Sequence, residues 1–138
     1  MKVVNRRARF DYEFIERHEA GIVLTGAEVK AVRAKKVNIS QAHARIINGE
    51  MYLINANFNG ENIENPTRTK KLLLHRKEIE SLETKIKAKK LTLVPVSLYT
   101  TRRLVKVEIA LAKAKRKHEK REKIKKKDIE REIERELK

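Results

Sequence analysis

The dipeptide Asn48–Gly49 constrains the fold more tightly than any other feature of the chain. It separates two runs of strand-forming residues, Ala42 to Ile47 and Glu50 to Phe58. Asn-Gly supplies the two positive φ values that let a two-residue turn follow the right-handed twist of its flanking strands. A hairpin at this point commits the middle of the chain to antiparallel sheet, and the flanking segments agree. Glu19 to Thr25 (EAGIVLT) is rich in β-branched residues and bounded by Gly26, which predicts a strand. Glu28 to Arg33, with Val29 and Val32 three apart, predicts a short helix, and His75 to Lys87 places Ile79, Leu82 and Ile86 on one helical face. Leu91 to Tyr99 and Leu104 to Ala112 predict two more strands, joined by a basic turn at Arg102 and Arg103. Pro95 falls inside the first of these. Having no N–H for the ladder, it requires an edge position or a bulge. Leu72, Leu73 and Leu74 cannot all face one side of one element, so they divide between core and surface. Five or more short antiparallel strands and two small helices predict a mainly β protein, a small closed or nearly closed barrel of the OB-like type with flanking short helices.

The composition changes near Lys113. From there the last 26 residues hold 13 basic and 7 acidic side chains, against 22 and 12 in the first 112. Beyond Arg116 the large apolar residues are Ile124, Ile129, Ile133 and Leu137. That thin i, i+4 stripe repays little of the entropy of ordering unless a partner covers it. The chain therefore divides into a barrel domain, residues 1–115, and a basic, helix-prone tail, residues 116–138, disordered or helical on binding. Lys125, Lys126 and Lys127 crowd three ammonium groups together, a repulsion that phosphates would relieve.

Absences narrow the chemistry. With no cysteine there is no disulfide, thiol nucleophile or Cys-ligated zinc. His18, His43, His75 and His118 are too far apart in sequence for a metal-binding helical pair, so no metal or cofactor is expected. Gly21, Gly26, Gly49 and Gly60 match no phosphate-cradling loop. Glu19 and Glu28 with a histidine would suffice for a nuclease, but any glutamate-rich chain offers such a set. No apolar run is long enough to span a membrane and no secretory signal is recognisable, so the chain reads as cytoplasmic.

What remains is charge. A net charge of +16 points to an acidic polymer, since each phosphate neutralised by Lys or Arg releases a condensed counterion. Three separated clusters carry it: Asn5 to Arg9 (NRRAR), Pro66 to Lys71 (PTRTKK) and Ala112 to Arg121 (AKAKRKHEKR). Six aromatic residues, most of them needed for packing, are too few for a base-stacking platform, so recognition of a folded RNA by shape and backbone fits better.

At these residues the sequence resembles the SsrA-binding protein family, also called small protein B, the bacterial partners of transfer-messenger RNA. The likeness runs through NRRAR, EAGIVLTGAEVKAVR at Glu19 to Arg33, PTRTKKLLLH at Pro66 to His75, LTLVPVSLY at Leu91 to Tyr99, VKVEIALAKAK at Val105 to Lys115 and HEKR at His118 to Arg121, in the family's order. The resemblance implies an OB-like barrel that binds the tRNA-like domain of transfer-messenger RNA without catalysis. It implies travel with elongation factor Tu, held indirectly through the RNA, to the decoding site of stalled ribosomes, where the tail enters the vacant message channel of the small subunit. By position, it implies that Asn5, Glu19 and Leu73 serve the RNA complex, with Arg7, Arg9, Arg68 and Lys70 as phosphate contacts. Lys113, Lys115, Arg116, His118, Lys120 and Arg121, followed by Lys125 to Lys127, would face the ribosome. Phe10 stands where the family usually has His, His18 where an aromatic is common, and Lys90 and Ala114 where Gly is usual. A basic ribosomal or ribosome-assembly protein and a small RNA-processing enzyme are the alternative readings.

Overall fold

The computed structural model describes residues 2–115. Expectations for residues 116–138, including those for Arg116, His118, Lys120, Arg121 and Lys125 to Lys127, lie outside the described residues. In order, the elements are β1 (Lys2–Val4), α1 (Arg6–Asp11), β2 (Tyr12–Ile22), α2 (Gly26–Arg33), β3 (Val37–Asn38), β4 (His43–Ile47), β5 (Glu50–Ile54), β6 (Asn57–Phe58), β7 (Lys70–Leu73), α3 (Arg76–Lys89), β8 (Thr92–Thr101) and β9 (Leu104–Ala114). Seven strands form an antiparallel sheet in the order β1-β8-β4-β5-β7-β2-β9, and a further β8–β9 pairing closes it into a ring. β3 and β6 pair separately. Closure leaves few exposed strand edges, as the barrel reading requires.

The hairpin is where the Asn-Gly pair predicts it. Ile47 pairs with Glu50, and the two turn residues have φ of 51° at Asn48 and 77° at Gly49. Pro95 resides at a register shift between Pro95 and Ser97 in the β8–β9 ladder, so a bulge accommodates it. On its other side β8 pairs with β4 at Leu93 and with β1 from Ser97 to Tyr99, leaving a gap at the proline. β2 is longer than the sequence pattern suggests. It begins at Tyr12, because the stretch Tyr12 to His18 carries charge on its exposed side and pairs with β9 throughout, with a shift between Phe14 and Glu16.

The core is built from the inward side of every strand. Met51, Leu53, Phe58, Leu72, Leu93, Leu98, Ile109 and Leu111 are buried in one cluster. α2 starts with a capping box in which Thr25 accepts from the Glu28 amide while the Glu28 carboxylate accepts from the Thr25 amide. α3 buries Ile79 and Leu82, with Ile86 packed against the same core, so the predicted helical face is the one used. Burying Leu82 alone is worth about 2 kcal/mol. Polar contacts pin the helix to β2: His18 bridges Glu78 and Glu16 at 3.0 Å each, and Lys85 pairs with Glu16. The Lys85 hydrogen bond, and then that from His18, hold the Glu16 carboxyl below its ordinary value.

Candidate nucleic-acid interface

The outward side of the β7–β2–β9–β8 wall carries the candidate site. Directly opposed residues in antiparallel strands share a face. One row across the wall therefore reads Leu73, Gly21, Lys106, Tyr99 and Lys2, and the next reads Glu19, Glu108, Ser97 and Val4. Leu73 is 52% exposed. It stands over Gly21, where an added Cβ would meet the Leu73 Cβ at 3.3 Å, so the glycine makes room for the side chain above it. Exposed Leu104, with Arg103 and Lys106, borders the same cleft, which has a volume of about 280 Å³. Glu19 is exposed and accepts a hydrogen bond from the Tyr99 hydroxyl. Burial, reinforced by Glu19 and Glu108, pushes the Tyr99 phenol up to about 12, so it stays a donor at neutral pH. Glu108 opposite is tied by Arg17 at 3.3 Å and Ser97 at 3.4 Å. The register thus brings Glu19 and Leu73 together. It also adds Lys106, Tyr99, Arg17 and Glu108, which sequence reasoning passed over. The alternation Lys106, Glu108, Ala110 along β9 was the available signal.

The second basic cluster is largely spent inside the molecule. Lys70 is fully buried: its ammonium donates to the Arg68 carbonyl at 2.6 Å, lies 3.4 Å from Glu28 and sits 4.2 Å over the Phe58 ring. It is not a phosphate contact, correcting the expectation for PTRTKK, because alternation along β7 turns Lys70 and Leu72 inward and Lys71 and Leu73 outward. Arg68 keeps one side on the surface, but its Nε and Nη2 grip the two Glu28 oxygens at 3.2 and 2.6 Å. Burial pushes the Glu28 carboxyl up, yet Arg68, the Thr25 amide and the charge of Lys70 outweigh it and hold the group at about 2. For Lys70 burial wins over Glu28 and lowers the ammonium below its ordinary value. Glu28 is therefore the anionic centre of a buried network and not half of a carboxylate pair with Glu19. Among the described residues, no three His, Asp or Glu side chains stand together as metal ligands.

The first cluster lies on α1. Arg7 and Arg9 are exposed on either side of Ala8, which buries itself against Val94, Val96, Ala110 and Ala112. Asn5 is 3% exposed and caps the helix, accepting from the Ala8 amide at 3.1 Å, so it offers RNA no surface. Lys113 is exposed at the end of β9, and Ala114, the last residue of that strand, pairs with Tyr12. Lys115 is half-buried: its amide donates to the Asp11 carbonyl at 2.9 Å and its ammonium to that of Arg9 at 3.0 Å. From Tyr12 to Gly21 the β2 ribbon spans roughly 30 Å at 3.3 Å per residue, so α1 and Leu73 mark the two ends of one long face.

The fold and sequence recur in known proteins. The SsrA-binding protein of Trichormus variabilis is 48% identical over 97% of this chain and 90% of its own length. That of Rubrobacter xylanophilus is 46% identical over 97% of this chain and 93% of its own. A chain in a solved structure described as "tmRNA-SmpB: a journey to the center of the bacterial ribosome" superposes with a TM-score of 0.69 at 43% identity, covering 84% of this chain and 85% of that one. The family model for SmpB protein matches residues 2–138. With a family-model match over nearly its whole length, relatives at 46 to 48% identity and a shared fold, this chain belongs to the SmpB protein family.

Proposed function

We propose that this protein binds the tRNA-like domain of transfer-messenger RNA and delivers it to stalled ribosomes for trans-translation, the rescue that tags incomplete polypeptides. The observation that carries the proposal is the 43% identical chain from the structure described as tmRNA-SmpB in the bacterial ribosome, which covers 84% of this chain. The role is non-catalytic and cytoplasmic: the protein supplies a shaped, basic surface, and elongation factor Tu joins through the RNA. Among the described residues, no helix is long and apolar enough to cross a membrane.

The outer face of β7, β2 and β9 takes the RNA. Arg7 and Arg9 neutralise phosphates at one end, and Leu73 and Lys106 meet the backbone and sugars at the other. Between them Glu19 accepts hydrogen bonds from base amino or imino groups, which a carboxylate does and a phosphate-seeking lysine does not. Arg68 presents only its outer edge. Residues 1–115 form the RNA-binding unit and 116–138 the ribosome-facing tail; Lys113 and Lys115 at its root, with Arg116, His118, Lys120, Arg121 and Lys125 to Lys127 in it, meet the decoding site and message channel. A chain ending after Arg116 tests this division. It should bind the isolated RNA with most of the full affinity and fail to support tagging on stalled ribosomes; loss of RNA binding, or full tagging, would sink the assignment.

A further inference from the structure

Asn5 is the single residue between β1 and α1, and it is bonded on every side. Its backbone N–H donates to Val96 O at 2.8 Å, its Oδ1 accepts from Ala8 N at 3.1 Å, and its Nδ2 donates to Ile39 O at 3.0 Å and Pro95 O at 2.9 Å. The last two carbonyls come from the segment after β3 and from the β8 bulge, where Pro95 pairs with Ile109 of β9 on one side and falls between the β4 and β1 pairings on the other. A planar amide with two donors and one acceptor fits this junction. Asp lacks the donors, Ser retains only the cap, and Gln is a methylene too long. Both amide hydrogens are used inside the protein, so none is left for a nucleotide.

α1 depends on this residue. It has six residues, well short of what sustains a helix alone. Its holds on the barrel include the Asn5 cap, the buried residue Ala8, and the Lys115 bonds to the Arg9 and Asp11 carbonyls. Arg7 and Arg9 flank Ala8, so the direction in which their guanidinium groups project is set by how α1 is fastened. The root of the tail rests on the same turn through Lys115.

We infer that Asn5 is a positioning residue which serves RNA binding only through α1, by holding Arg7 and Arg9 where RNA phosphates meet them, and that it makes no contact with RNA itself. The inference rests on the proposed RNA face and adds how one end of that face is built. It predicts that removing Asn5 is redundant with removing the two arginines.

The test is a double-mutant cycle in the full-length chain, read by affinity for a transcript of the tRNA-like domain across a salt series. Asn5→Ala should weaken binding and shrink the fall in affinity between roughly 50 and 200 mM salt by about tenfold, the effect of two phosphate contacts. Arg7→Ala with Arg9→Ala should do the same, and adding Asn5→Ala to that pair should change affinity less than twofold. Global destabilisation would lower the active fraction but leave the salt dependence of the folded protein unchanged. Asn5→Ser keeps the cap oxygen and loses both amide donors, so it should fold even where Asn5→Ala does not, and show the same redundancy. Multiplicative losses from Asn5 and arginine changes would mean a direct contact and overturn the inference. So would an unchanged salt dependence with weakened binding, or unweakened binding by Asn5→Ala. If wild-type protein does not bind the transcript at all, the functional proposal fails first, a result distinct from any of these.

Discussion

Glu28→Gln isolates the energetic centre of the barrel wall beneath Leu73. In the folded chain the carboxylate is 2% exposed, gripped by Arg68 and set 3.4 Å from the buried Lys70 ammonium. Its pKa lies at about 2, against 4.5 for an unperturbed glutamate. The folded form therefore binds the proton more weakly than the unfolded form. The resulting stability is complete above about pH 5 and is lost as pH falls toward 2, and a difference of this size is worth roughly 3 kcal/mol. Gln preserves the shape and the cap acceptor but removes the charge, leaving Lys70 buried beside a neutral amide. Urea unfolding should show a loss of roughly 3 kcal/mol at pH 7 with an unchanged m-value. The two proteins should converge as pH drops from 5 to 2.5, because wild type forfeits there what the variant never had. Glu16 and Glu50 are also held low, but they titrate in both proteins and cancel in the difference. Pairing Glu28→Gln with Lys70→Met should recover most of the loss, since a hydrophobic replacement removes the stranded charge. A cost below about 1 kcal/mol at pH 7, or parallel stability curves down to pH 2.5, would refute this account of the network.

Other outcomes follow from named positions. Lys90 ends α3 in the left-handed region at φ 52° and ψ 50°, so Lys90→Gly should raise stability by about 1 kcal/mol in thermal or urea unfolding. Leu73→Arg and Glu19→Ala should each weaken binding to the tRNA-like domain in folded protein, as checked by filter binding alongside circular dichroism. Lys70→Met should leave the salt dependence of that affinity unchanged, because its ammonium faces Glu28 and Phe58 instead of solvent.

The sequence disclosed elements whose pattern is local and hid those whose meaning depends on distant partners. The Asn48–Gly49 hairpin, the Ile79–Leu82–Ile86 face and the basic turn at Arg102, which has φ 56°, could all be read from a few neighbouring residues. In the sequence α1 shows only as a basic cluster, because its stability comes from Asn5 reaching Ile39 and Pro95, contacts separated by 34 and 90 positions. β7 escaped notice as a strand because its four residues, KKLL, show no polar–apolar alternation, while their burial alternates. The phosphate role that the resemblance implies for Lys70 fails for the same reason, because a burial pattern set by distant partners does not show in the local sequence. A lysine between Thr69 and Lys71 reads as surface until Glu28, forty-two residues earlier, turns out to lie beneath it. Family resemblance alone points to Glu19 and Leu73. Lys106 and Tyr99 stand beside them by strand register, which no local pattern encodes.

Sequencing the RNA that copurifies with the full-length chain from bacterial cells tests the central claim most directly. The account predicts one dominant RNA carrying a tRNA-like end, depleted when Leu73→Arg replaces the wild-type protein. Ribosomal RNA alone would instead identify a ribosomal or assembly protein. Discrete cleavage fragments would identify a processing enzyme, and either result would contradict the proposed role in ribosome rescue.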